Sequence, residues 1–134
     1  MLGGSRMARI LIADDSVVIR KTLKKILLRA GHQVVSEAEN GYEAVEAYRS
    51  TQPDIVTMDI SMPMMDGIDA TEKIMLSFND AKIVMISAVD EKNKVFEALE
   101  RGAKHYILKP FNENTVLKII DVVLDYDKIS ELMD

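Results

Sequence analysis

Five polar side chains in this sequence stand just past the end of a short apolar run, and their types suit a metal ion held beside an anion. Asp14 and Asp15 follow the run at residues 10–13, Asp59 follows 55–58, Ser87 follows 83–86 and Lys109 follows 106–108. Three carboxylates crowded together repel one another, so each resists ionising on its own. A hard dication with oxygen ligands relieves that repulsion. Mg²⁺ is the natural candidate, because it keeps several waters and needs only one or two carboxylates plus a phosphate. Three carboxylates, the dication and the Lys109 ammonium then balance in charge. A phosphoryl dianion added to one carboxylate consumes that carboxylate's charge and leaves a single net negative charge. Such a site can receive phosphate.

The five residues meet only if their runs are strands of one sheet. Runs that are apolar on both faces suit central parallel strands covered by helices. A further run at 34–35 is short and turns polar at Ser36 and Glu37, as an edge strand does. Helical spacing fills the intervals. Ser16 is the expected N-cap of a first helix, with Ile19, Leu23, Ile26, Leu27 and Ala30 on one face and Gly31 as its stop. Asn40 and Glu43 read as a capping box for a second helix that ends before Pro53. Asp66 caps a third, with Ile68, Thr71, Ile74, Met75 and Phe78 on one face. Asp90 caps a fourth, carrying Val95, Ala98 and Leu99 and ending at Gly102. Asn112 opens a fifth, with Val116, Ile119, Ile120 and Val123 on its stripe. This alternation predicts an α/β fold, a single doubly wound five-stranded parallel sheet with five helices and right-handed crossovers. Ligands bind at the carboxyl ends of such strands, which is where the five polar residues lie.

Composition narrows the function classes. The chain has 134 residues, 48% hydrophobic and 29% charged, as expected of one soluble domain. Its net charge of −5 argues against broad nucleic-acid binding. No apolar run reaches the ~20 residues that a membrane-spanning helix needs, so membrane insertion is not expected. The absence of cysteine excludes disulfides, zinc–thiolate sites and thiol catalysis. The first residues lack the apolar stretch of a secretory signal, and a cytoplasmic location is expected. Residues 1–6 read as a disordered extension or a cloning remnant, with the folded domain over 7–134.

With these landmarks in order, the sequence resembles the receiver domain of two-component response regulators. The resemblance rests on Asp14-Asp15-Ser16, Met58-Asp59, Met62-Pro63 with Met65-Asp66-Gly67, Ser87-Ala88 and Lys109-Pro110-Phe111, and runs from about residue 8 to 125. Within the family it looks most like the stand-alone chemotaxis regulators of the CheY type, which have a flavodoxin-like fold. The resemblance implies that Asp59 accepts a phosphoryl group from a histidine kinase of the CheA type. It implies that Asp15, Asp59 and the Ser61 carbonyl bind Mg²⁺ directly, with Asp14 acting mainly through water. Ser87 would bond a phosphoryl oxygen, Lys109 would pair with the acyl phosphate, and Lys109–Pro110 would be a cis peptide. Ser87 and Tyr106 would form the switch, acting on an output surface around Lys92, Phe96, Tyr106 and Val116. The chain would catalyse only its own phosphorylation and dephosphorylation, and its target would be a flagellar motor switch or a phosphatase. Ser87 stands where many members carry Thr.

Simpler readings compete. Asp14 and Asp15 precede a helix and could merely cap it, although two adjacent acids exceed what one cap needs. Asp66 and Gly67 read as cap and turn, the methionines near the site as packing, and His32 and His105 as surface or packing residues. Arg20, Lys21, Lys24, Lys25 and Arg29 read as a solvated basic face. A flavodoxin-type electron carrier would need a Ser/Thr/Gly-rich loop where Asp14 and Asp15 stand. A metal-dependent phosphatase would need one residue between its two aspartates, whereas Asp14 and Asp15 are adjacent. A phosphorelay or stress-signalling intermediate is the alternative within the family.

Overall fold

The computed structural model describes residues 6–126. Ten elements alternate along it: β1 (Arg9–Ala13), α1 (Val17–Arg29), β2 (Gln33–Ala38), α2 (Gly41–Thr51), β3 (Ile55–Asp59), α3 (Gly67–Ser77), β4 (Ile83–Ser87), α4 (Lys92–Glu100), β5 (His105–Leu108) and α5 (Glu113–Leu124). The strands form one parallel sheet in the order β2-β1-β3-β4-β5. The chain steps outward from β1 to β2 and then crosses to β3 on the other side. The crevice beyond the carboxyl ends of β1 and β3 is therefore the topological switch point.

Alternate side chains of each strand feed two apolar layers. Ile10, Ile12, Ile55, Val84, Ile86 and Ile107 pack against Leu23 and Leu27 of α1 and Val116 and Ile120 of α5. Leu11, Val56, Met58, Ile83 and Met85 pack against residues of α2, α3 and α4, among them Tyr48, Ile74 and Ala98. A one-residue slip of any central strand would exchange the two layers, so burial fixes the register that the site depends on. Each fully buried Ile or Leu contributes about 1.5–3 kcal/mol to holding it.

Ser16, Asn40, Asp66 and Asn112 cap their helices as expected, each side chain accepting from the N–H three residues on. Gly31 and Gly102 follow α1 and α4 with φ of +90° and +119°, the left-handed conformation that ends helices. Three expectations need correction. β2 continues through Ser36 and Glu37 to Ala38, because an edge strand needs no apolar face toward solvent. Glu43 reaches back to the N–H of Glu39, one residue before the cap. The N-cap of α4 is Glu91 rather than Asp90, and its side chain makes no capping bond. The extension expected over 1–6 lies outside the described residues except for Arg6, whose guanidinium donates to the Leu124 carbonyl and pairs with Asp125.

Candidate functional site

Register brings the polar residues together. Ala13 lies opposite Met58, so Asp14 emerges beside Asp59. Asp59 in turn lies opposite Ile86, and Ser87 opposite Leu108, so Ser87 and Lys109 follow on the same rim. Backbone bonds continue past the strand ends: Asp14 N–H donates to the Ala38 carbonyl at 2.9 Å and Lys109 N–H to the Ser87 carbonyl at 2.8 Å. Asp14, Asp15 and Asp59 each place a carboxylate oxygen within 4.8 Å of the others.

The three acids differ in setting. Asp14 is 1% exposed, Asp59 is 4% exposed, and Asp15 is on the surface. One Asp14 oxygen accepts from the Ser16 N–H at 2.8 Å. The other, Oδ2, is buried without a hydrogen-bond partner. The Lys109 ammonium lies 3.5 Å from that oxygen and 3.6 Å from Asp59 Oδ1. Both separations exceed the 2.7–2.9 Å typical of a charge-assisted hydrogen bond, so the lysine neutralises the pair without satisfying either acid. Asp59 Oδ1 also accepts from the Ser61 N–H at 3.4 Å.

Burial pushes the Asp59 carboxyl up from its ordinary value of 3.8 to about 7, and the neighbouring Asp14 adds to the effect. Lys109 and the Ser61 amide pull it down, while Asp15 raises it a little further. A carboxylate this reluctant to ionise is what like charges and desolvation produce when no cation is bound. The donor set is all oxygen, the partnerless Asp14 Oδ2 faces the cluster, and three carboxylates converge. These residues fit a hard divalent ion of the Mg²⁺ type.

Ser87 is fully buried, its hydroxyl donating to the Ala88 carbonyl at 3.1 Å. The Lys109–Pro110 bond is cis. Tyr106 stands apart from the acids. Its half-exposed ring lines a groove of about 380 Å³ with Lys92, Val95, Phe96, Leu99 and Leu108. Val116, expected on the same surface, is instead buried against the sheet.

Three contributors were not legible as such. Arg20 is buried rather than solvated: its guanidinium donates to the Asp14 carbonyl at 2.7 Å and pairs with Glu37 and Glu39, so it holds the backbone at the site. Its spacing from Leu23 and Leu27 was the available signal. Gly67 opens α3 so close to Asp59 that a Cβ would lie 2.0 Å from the Asp59 carbonyl oxygen. Glu91 bonds the Ser61 hydroxyl and the Ala88 N–H, which nothing in the sequence indicates.

Comparison with known proteins agrees with this geometry. Residues 10–121 match the response regulator receiver domain family. The chemotaxis protein CheY of Thermotoga maritima is 48% identical over 115 residues, 86% of this chain and 96% of that protein. CheY of Bacillus subtilis is 47% identical over 117 residues, 87% of this chain and 98% of its own length. In a crystal structure of the CheX–CheY–BeF3–Mg complex from Borrelia burgdorferi, the matched chain superimposes with a TM-score of 0.80 at 39% identity, covering 84% of this chain and 85% of that one. Among the described residues, no helix is long and apolar enough to cross a membrane. A family match over most of the length, on a sheet that gathers three aspartates and a lysine at its switch point, makes this chain a response-regulator receiver homologous to the CheY chemotaxis proteins.

Proposed function

We propose that Asp59 is the phosphoacceptor of a single receiver domain over residues 7–134, acting in the cytoplasm within a chemotaxis pathway. The observation that carries this is the setting of Asp59. It is a buried carboxylate beside Asp14, with the Lys109 ammonium 3.6 Å away. In the transfer, an Asp59 oxygen forms a bond to phosphorus as the P–N bond of a kinase phosphohistidine breaks. The electron pair passes to the imidazole nitrogen, which takes up a proton. Attack by water on phosphorus later breaks the acyl O–P bond, which restores the carboxylate and releases inorganic phosphate. Asp14, Asp15, Asp59 and the Ser61 carbonyl would hold Mg²⁺, which when bound supplies charge neutralisation for the phosphoryl oxygens. Lys109, 3.6 Å from Asp59, would pair with the new acyl phosphate, and the Ser87 hydroxyl would donate to one of its oxygens.

The partners implied are a sensor histidine kinase of the CheA type and a target protein, such as a flagellar motor switch or a phosphatase. Ser87 and Tyr106 would pass the signal to the groove between α4 and β5. Incubation with radiolabelled acetyl phosphate, or with a phosphorylated histidine kinase, should label the wild type only when Mg²⁺ is present. Asp59→Asn should take up none. Labelling of that variant at the wild-type rate would refute the assignment.

A further inference from the structure

Glu91 stands outside the acidic cluster, yet its side chain spans the two loops that flank Asp59. The Ser61 hydroxyl, two residues beyond Asp59, donates to Glu91 Oε2 at 2.6 Å. The Ala88 N–H, directly after Ser87, donates to Glu91 Oε1 at 2.7 Å. We infer that Glu91 is a built-in latch, a carboxylate that occupies in the resting state the donors a phosphoryl group on Asp59 would need. The inference rests on Asp59 being the phosphoacceptor.

Chemistry favours competition over coexistence. A phosphoryl dianion presents three acceptor oxygens and needs donors from both loops. The Ala88 amide adjoins the hydroxyl of Ser87, on the rim where the phosphoryl group would stand, and Glu91 has taken that amide already. Two anions sharing one small set of donors also repel each other, so the phosphoryl group must displace the carboxylate. A glutamate carboxyl is ordinarily ionised near neutral pH, so the latch is anionic.

Displacement has a mechanical consequence. Glu91 is the N-cap of α4, and its carbonyl accepts the first helical bond from Val95. Its side chain, tied to Ser61 and Ala88, leaves the helix start without a side-chain cap. Releasing the side chain frees the first turn of α4, which carries Lys92 and Val95 of the groove. Glu91 is thus a positioning residue that links occupancy of the site to α4.

Fluoroberyllate with Mg²⁺, a phosphoryl mimic, tests this on the full chain without chemical turnover. Glu91→Ala should bind it roughly two- to tenfold tighter than wild type, the change that one net hydrogen bond makes in an equilibrium constant. Acetyl phosphate should label Asp59 faster by a similar factor, and amide exchange at Ala88 in the ligand-free protein should accelerate. Glu91→Gln, which keeps an acceptor but loses the charge, should fall between. Ser61→Ala, which removes the other arm but retains the backbone carbonyl, should likewise accelerate amide exchange at Ala88 in the ligand-free protein. Equal or weaker fluoroberyllate binding by Glu91→Ala, or unchanged Ala88 exchange in Ser61→Ala, would overturn the latch. Failure of the wild type itself to bind would instead remove the phosphoacceptor reading, and the latch with it.

Discussion

Asp59→Asn tests the electrostatics of the site separately from its chemistry. In the folded, metal-free protein the Asp59 carboxyl titrates at about 7, against 3.8 for the ordinary group. Between those pH values the native state holds a proton that the unfolded state has lost. Stability contributed by the neutral carboxyl is therefore present below about pH 4 and is lost as pH rises through 7. The gap corresponds to about 4 kcal/mol at ~1.4 kcal/mol per tenfold. That is an upper bound, since water and side chains adjust around the charge, and about 2–3 kcal/mol is the expected size.

Asparagine cannot ionise, so it lacks this pH dependence. The measurement is urea unfolding of wild type and Asp59→Asn in EDTA at half-unit steps from pH 4.5 to 8.5. The variant's advantage over wild type should grow steadily from pH 5 to 7.5 and then level off. Any fixed cost of the asparagine appears equally at every pH and drops out of the slope. Saturating Mg²⁺ should shrink the difference, because it binds the folded wild type and favours the ionised carboxylate. A difference that stays flat across the range, without metal, would show that Asp59 ionises freely. The crowding inferred for the acidic cluster would then be wrong.

Gly67→Ala pits helix propensity against space. Alanine is favoured by up to ~1 kcal/mol in a helix, but its Cβ would press on the Asp59 carbonyl, so urea unfolding should show a net loss of about 1–3 kcal/mol. Any gain in stability would refute the close approach. Arg20→Ala should lose about 1–3 kcal/mol in the same assay by leaving the Asp14 carbonyl unpaired. Arg20→Lys should recover less than half, since a single ammonium cannot reach three separate acceptors. Lys109→Ala should keep the fold but raise the carboxyl of Asp59 further, because it removes a charge that pulls it down. Carbon-13 NMR titration reads this directly, and a fall would contradict the geometry.

The sheet and the convergence of the acids were legible because both follow from strong patterns. Four short runs apolar on both faces and a fifth that turns polar admit one economical arrangement, and parallel strands in register deliver their last residues to one rim. Single-residue geometry was not legible. Asp14 and Asp15 are adjacent and alike in type, and the sequence does not say that Asp14 is buried and Asp15 exposed. Arg20 was masked by four other basic residues on α1, although its spacing from Leu23 and Leu27 places it on the buried face. Asp90 is the better capping residue by type, yet α4 begins after Glu91, whose carboxylate is engaged by Ser61 and Ala88. Capping rules failed where the loop serves the site.

The position of Lys109 shows how such a site can respond to a new anion without refolding. Its ammonium is almost equidistant from Asp14 and Asp59, at 3.5 and 3.6 Å. Committing to either acid would shorten one contact toward 2.8 Å and abandon the other, leaving a buried carboxylate uncompensated. The midpoint keeps both partly neutralised. A phosphoryl group on Asp59 would remove one of the two claims and offer oxygens with more charge, so the balance would tip with only a small displacement of a flexible side chain. Asp14 would then be the acid left short of a cation, and a divalent ion in the cluster would prevent that deficit. Phosphate and metal should therefore bind with positive coupling, each raising the affinity of the site for the other. Titrating Mg²⁺ against fluoroberyllate-loaded and free protein measures it, and equal metal affinity in the two states would refute the coupling.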